Sequence, residues 1–213
     1  MSHVETFRAH LKACPLIAIV RGIVPEEAEA VGSALIVAGI RIIEVPLNSP
    51  RPFDSIERLA KRFGAEATIG AGTVLDAADV ARVQAAGGVL TVSPNTSLPV
   101  IAATVAVGMV AAPGFFTPSE AFAALATGAH ALKLFPAEAA TPAVVKALLA
   151  VLPKGTDIVI VGGVAPETMA SWVAAGAVGF GLGSGLFKPG LSAAEVAERA
   201  RSYVGALQRE PRP

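Results

Sequence analysis

Three observations predict the fold: eight short apolar runs, helix-like stretches between them, and strand ends recurring at roughly 20 to 27 residues. Together they predict an α/β chain folded as a closed (β/α)8 TIM barrel, a single compact domain over 1–213. An open doubly wound sheet uses the same ingredients. The closed barrel is favoured because the strand count is eight and no second domain is left over. With 213 residues the barrel is a short one, so its loops are short. The tail 209–213 (REPRP after Gln208) is expected to fray.

The strands are expected, in order, at LIAIV (16–20), IIEV (42–45), TIGA (68–71), VLTV (89–92), MVAA (109–112), ALKL (131–134), IVIV (158–161) and VGFGL (178–182). Each is bounded by Gly or Pro and is too short for a helix. Segments such as 25–39 and 76–88 open with Pro, Asp or Glu and close with Gly, as helices do.

Composition narrows the function. Basic and acidic residues balance at 17 each, which argues against a nucleic-acid or membrane-surface footprint. Attraction for an anionic substrate must then be local. Cys14 is the only cysteine, so no intrachain disulfide can form, and a reduced, cytoplasmic setting is expected. The first residues carry charges and no apolar signal core. The stretch from Val83 to Ser119 lacks charge, but its Gly and Pro residues break it into pieces too short for a membrane span.

In a barrel, chemistry sits where strands end and the following loops begin. Two ionisable groups lie inside apolar strands. Alternation puts Ala131 and Lys133 on one face and Leu132 and Leu134 on the other. The leucines should face the helices, so Lys133 should point into the barrel. Desolvation there lowers a lysine pKa, and a neutral amine attacks ketones to form a Schiff base. The alternative is a buried lysine paired with a carboxylate. Glu44 shares a face with Ile42 and needs either a partner or a task. It could be the counter-ion of Lys133, or it could carry protons in an aldol cleavage.

Two glycine turns, VGGV (161–164) and GLGSGLF (181–187), follow the last two strands, the usual barrel phosphate site. Gly162, Gly163, Gly183 and Ser184 are the candidate phosphate contacts, although turns need glycine anyway. Arg21 could clamp a carboxylate or phosphate, or simply be a surface arginine. Thr73 could donate to a substrate carboxylate or cap the next helix. His3, His10 and His130 lack metal-ligand spacing, so no metal and no cofactor are expected. Trp172 lies on a helix and is expected to serve packing or an interface rather than chemistry. Phe115 and Phe116 either wall the pocket or fill core. No Ser-His-acid pattern supports acyl transfer.

IAIVRG (17–22), IIEVPLNSP (42–50), IGAGTVL (69–75), VSPN (92–95), ALKLFPAEA (131–139), VGGV and GLGSGLF together resemble the 2-keto-3-deoxy-6-phosphogluconate/6-phosphogalactonate aldolase family, from Leu16 to about Tyr203. The resemblance implies a class I aldolase that uses no metal. Its partners would be a phosphorylated keto acid and pyruvate, and its assembly a homotrimer. It implies Lys133 as the Schiff-base lysine and Glu44 as the proton-transfer residue. Arg21 and Thr73 would hold the substrate carboxylate and nearby oxygens, and the two glycine turns the phosphate. Gluconate-type members typically read EVTLRT and VSPG, with threonine before the paired glycines. Here the stretches read EVPLNSP and VSPN, and Val161 precedes Gly162. That implies the galactonate branch. The missing arginine at Asn48 puts the gluconate-type anion contact in doubt. The alternatives are a gluconate or dual-specificity aldolase and, outside the class, a non-catalytic phosphosugar-binding barrel.

Overall fold

The computed structural model describes residues 1–208; the tail expected to fray lies outside the described residues. Nine parallel strands form one sheet: β1 (Leu16–Ile19), β2 (Ile42–Pro46), β3 (Thr68–Gly72), β4 (Leu90–Val92), β5 (Val110–Ala112), β6 (Gly114–Phe115), β7 (Leu132–Leu134), β8 (Ile158–Val161) and β9 (Gly179–Leu182). Their spatial order is β5-β4-β3-β2-β1-β9-β8-β7-β6. The nine segments make eight staves. β5 and β6 are one strand interrupted at Pro113, which has no N–H to give to a ladder. β5 pairs with β4 and β6 with β7. Two further bonds close the ring, from the Lys133 N–H to Pro113 O and from the His130 N–H to Ala111 O, both 2.9 Å. The eight expected strands are present, each within one residue of its expected ends at both termini.

The surrounding helices are α2 (Pro25–Val37), α3 (Pro52–Phe63), α4 (Ala77–Ala85), α5 (Leu98–Ala106), α6 (Pro118–Ala126), α7 (Pro142–Leu149), α8 (Met169–Ala174) and α9 (Ala193–Gln208). Proline stands in the first turn of α2, α3, α5, α6 and α7, where its missing N–H costs nothing. The charge-free stretch from Val83 resolves into the end of α4, β4, α5, β5 and β6. Among the described residues no helix is long and apolar enough to cross a membrane.

An element not expected from the sequence precedes the barrel: α1 (His3–Ala13). A capping box starts it, with Ser2 Oγ accepting from the Glu5 N–H and the Glu5 carboxylate accepting from the Ser2 N–H. Phe7 and Leu11 of α1 join an inner cluster with Ile17, Ile42, Leu90 and Val110. α1 therefore closes the N-terminal end of the barrel and leaves the other end open.

The core has two shells. Leu132 and Leu134 of β7 and Ile43 and Val45 of β2 belong to the outer shell, against the helices. Ala131 and Ile42 belong to the inner one. The two-residue period then turns Lys133 and Glu44 inward. Small residues make room for them. A side chain at Gly72 would run into the Glu44 carboxylate, and one at Gly70 into the Leu90 backbone.

Candidate active site

Lys133 and Glu44 are among the few buried charged side chains, 7% and 1% exposed. They sit on opposite parts of the ring, β7 and β2, and meet electrostatically across its interior. Burial raises the Glu44 pKa from 4.5 to about 7, with Lys133 and then Arg21 pulling it back down. Burial lowers the Lys133 pKa; Glu44 opposes that shift and Arg21 adds to it. One Glu44 oxygen, Oε2, is buried without a hydrogen-bond partner. Among the described residues no ion pair within 4.0 Å joins Lys133 to a carboxylate. The sequence left a closed buried ion pair as the alternative for these two residues. The geometry is instead a gap between two desolvated groups, with an unsatisfied oxygen beside it. The Lys133 Nζ also lies 4.8 Å from the centre of the Phe135 ring. Phe135 repeats the inward period of 131 and 133, so alternation alone could have flagged it.

At the rim, side chains following β1, β2 and β3 interlock. The Arg21 guanidinium donates through Nη1 to Asn48 Oδ1 and, at 3.4 Å, to Thr73 Oγ1. Thr73 has φ +55°, a left-handed conformation that a β-branched residue rarely adopts. Bonds on both sides hold it there. Gly72 O accepts from the Leu47 N–H, the Val74 N–H donates to Val92 O, and Ser93 Oγ donates to Val74 O. Thr73 does not cap the next helix. Asp76 does, accepting from the Ala78 N–H.

The glycine turns lie on neighbouring staves at the same end, where Val161 pairs with Gly181. Gly162 and Gly163 have φ +114° and +61°, and the Glu138 side chain packs against both. Fold geometry alone therefore demands glycine at these two positions. Gly183 differs: a side chain there would meet open space within 4 Å. Its carbonyl accepts from the N–H groups of Leu186 and Phe187, which curls the turn. Ser184 is exposed beside it.

Lys133, Glu44, Arg21 and Thr73 are thus gathered by contact or electrostatic coupling. Gly162, Gly163, Gly183 and Ser184 flank them on β8 and β9. Phe115 lies in the outer core and Phe116 is 41% exposed, so core filling describes Phe115. His130 sits at the far end, accepting from the Ala111 N–H. Trp172 packs in the outer shell. Among the described residues no group of three or more His, Cys, Asp and Glu side chains could hold a metal ion. A cavity of about 780 Å³ exists between α1, α8 and α9, lined by Leu11, Met169 and Phe180 among others. It holds none of the site residues and lies away from the strand ends that carry Lys133 and Glu44.

Similarities to known proteins converge on one family. A family model described as KDPG and KHG aldolase matches residues 7–202. The probable 2-dehydro-3-deoxy-6-phosphogalactonate aldolase of Rhizobium meliloti (strain 1021) is 52% identical over 192 residues, covering 90% of this chain and 91% of that protein. The 2-dehydro-3-deoxy-6-phosphogalactonate aldolase of Escherichia coli (strain K12) is 47% identical, covering 91% of this chain and 95% of that one. The solved structure titled "Native KDPGal structure" superimposes with a TM-score of 0.90 at 46% identity, covering 91% of this chain and 94% of that one.

The raised pKa of Glu44 has a consequence for stability. Between its ordinary 4.5 and its folded value of about 7, the folded chain keeps a proton that the unfolded chain has released. Folding stability contributed by this group therefore falls as pH climbs through that window and levels off above it. Urea unfolding of the Glu44→Gln variant should show this slope removed, the variant gaining on the parent from pH 5 to pH 7. A constant difference across that range would contradict the burial of an ionisable carboxyl at this position.

Proposed function

We propose that this chain, which belongs to the KDPG and KHG aldolase family, is a class I aldolase acting through Lys133. Its substrate would be 2-dehydro-3-deoxy-6-phospho-D-galactonate and its products pyruvate and D-glyceraldehyde 3-phosphate. The observation that carries this is the buried amine of Lys133 across the barrel interior from the buried carboxyl of Glu44, whose Oε2 has no hydrogen-bond partner; burial lowers the lysine pKa and raises that of Glu44 to about 7.

The neutral Nζ attacks the C2 ketone, and loss of water leaves a protonated Schiff base. The Glu44 carboxylate, directly or through a water, takes the proton of the C4 hydroxyl. The C3–C4 bond breaks, its electron pair flows into the iminium to make an enamine, and the aldehyde leaves. Glu44, now protonated, returns that proton to C3. Water then hydrolyses the pyruvate imine and frees the lysine. A group titrating near neutrality is suited to both halves of this transfer. The unpartnered Oε2 of Glu44 gives the hydroxyl proton an acceptor already desolvated.

Arg21 and Thr73 would hold the substrate carboxylate and nearby oxygens. Gly162, Gly163, Gly183 and Ser184 would receive the phosphate. For Gly183 a specific observation supports this: neither packing nor a left-handed φ demands glycine there, which leaves room for a ligand. The galactonate choice is supported by the names of the two relatives above and by Val161, whose side chain is buried in the inner cluster just before the glycine pair. An apolar group there offers no hydroxyl partner to a C4 epimer that needs one. The enzyme would work in the cytoplasm as a homotrimer. Exposed Leu75, Leu98, Phe116 and Phe122 supply apolar surface for subunit contact, and the mass in solution decides the assembly.

Borohydride reduction with pyruvate should fix one pyruvate-derived adduct on Lys133, located by peptide mass analysis. Lys133→Ala should form none. Glu44→Gln should still trap pyruvate but cleave substrate about a hundredfold or more slowly. Activity lost to a chelator, with no adduct formed, would favour a metal-dependent mechanism. Assayed on both C4 epimers, the protein should cleave the galactonate epimer faster, and Val161→Thr should move the ratio about tenfold toward the gluconate epimer. Faster cleavage of the gluconate epimer by the unaltered protein would overturn the choice of substrate.

A further inference from the structure

We propose that Asn48 and Ser49 form a clamp that fixes Arg21 to receive the substrate carboxylate, with Asn48 as the positioning residue; this rests on the lysine-aldolase function above. Asn48 holds the guanidinium of Arg21, and Ser49 holds the amide of the residue that follows it. Asn48 Oδ1 accepts from Nη1 of the guanidinium. Ser49 Oγ, on a residue only 8% exposed, accepts from the Gly22 N–H at 2.9 Å. The Arg21 side chain is otherwise exposed. An unrestrained exposed arginine spreads over many rotamers, and ordering it on binding costs affinity.

The chemistry of the clamp suits an anion receptor. Arginine carries only donors, so the amide must present its oxygen. Both hydrogen bonds, to Asn48 and to Thr73, fall on Nη1. The Nη2–Nε edge remains for a planar carboxylate, which takes two parallel N–H donors. Asn48 is neutral. It orients the guanidinium without cancelling the charge that the substrate needs. An aspartate at the same place would keep the geometry and compete with the substrate.

The test uses the pyruvate concentration that half-saturates borohydride trapping, because pyruvate carries the carboxylate in question. Asn48→Ala should raise that concentration about tenfold, as expected for one hydrogen bond to a charged group, with the rate at saturation changed less than about twofold. Asn48→Asp should raise it as well. In an Arg21→Ala background, Asn48→Ala should add nothing, because the residue acts through the arginine. An unchanged half-saturation in Asn48→Ala, or a further loss in the Arg21→Ala background, would overturn the clamp while normal trapping by the unaltered protein left the lysine mechanism standing. Absence of trapping in the unaltered protein would instead remove the lysine mechanism, and the clamp with it.

Discussion

Desolvation of one amine and one carboxyl inside the same barrel governs the rest of the structure. Each is expensive to bury charged. Placed together, each limits the other's shift: Glu44 holds the Lys133 pKa up and Lys133 holds the Glu44 pKa down. A closed ion pair would have satisfied both and silenced both. The two groups remain unpaired instead, and the buried Oε2 of Glu44 has no hydrogen-bond partner. The fold tolerates this because the inner and outer apolar clusters, with α1 closing the far end, stabilise the barrel independently of the pair.

Supporting features follow from making room for those groups and aiming what surrounds them. Gly72 leaves space for the Glu44 carboxylate. Pro113 interrupts the fifth stave without opening the ring, since its carbonyl accepts from the Lys133 N–H. The lysine backbone is thus anchored at the point where the strand is broken. Thr73 is held in a left-handed conformation by hydrogen bonds on either side. Its hydroxyl meets Arg21, so local strain is spent on directing a polar group to the rim.

The barrel was legible in the sequence because its strands are short, apolar and regularly spaced, and because Gly and Pro mark their ends. The inward direction of Lys133 followed from a two-residue period with leucine on the other face, whereas for Glu44 the same period gave only the face it shares with Ile42, which the structure places inside. Three features were not legible. α1 is signalled by Ser2 and Glu5 at capping spacing, but its role depends on Phe7 and Leu11 meeting strands far along the chain. The break at Pro113 shows itself only when β5 and β6 are seen to pair with different neighbours. The Arg21–Asn48 bond joins residues 27 apart, and no local pattern encodes it. In the sequence, Asn48 stands out only as the position where gluconate-type members carry arginine.

The lowered pKa of the Lys133 amine can be measured directly. NMR titration of protein labelled at the lysine side chains, with Lys133→Ala to assign the resonance, follows its protonation. The expected result is a single lysine signal titrating clearly below the ordinary value of about 10.4, and shifting further down in Glu44→Gln. A Lys133 signal that titrates with the surface lysines would contradict a desolvated nucleophile.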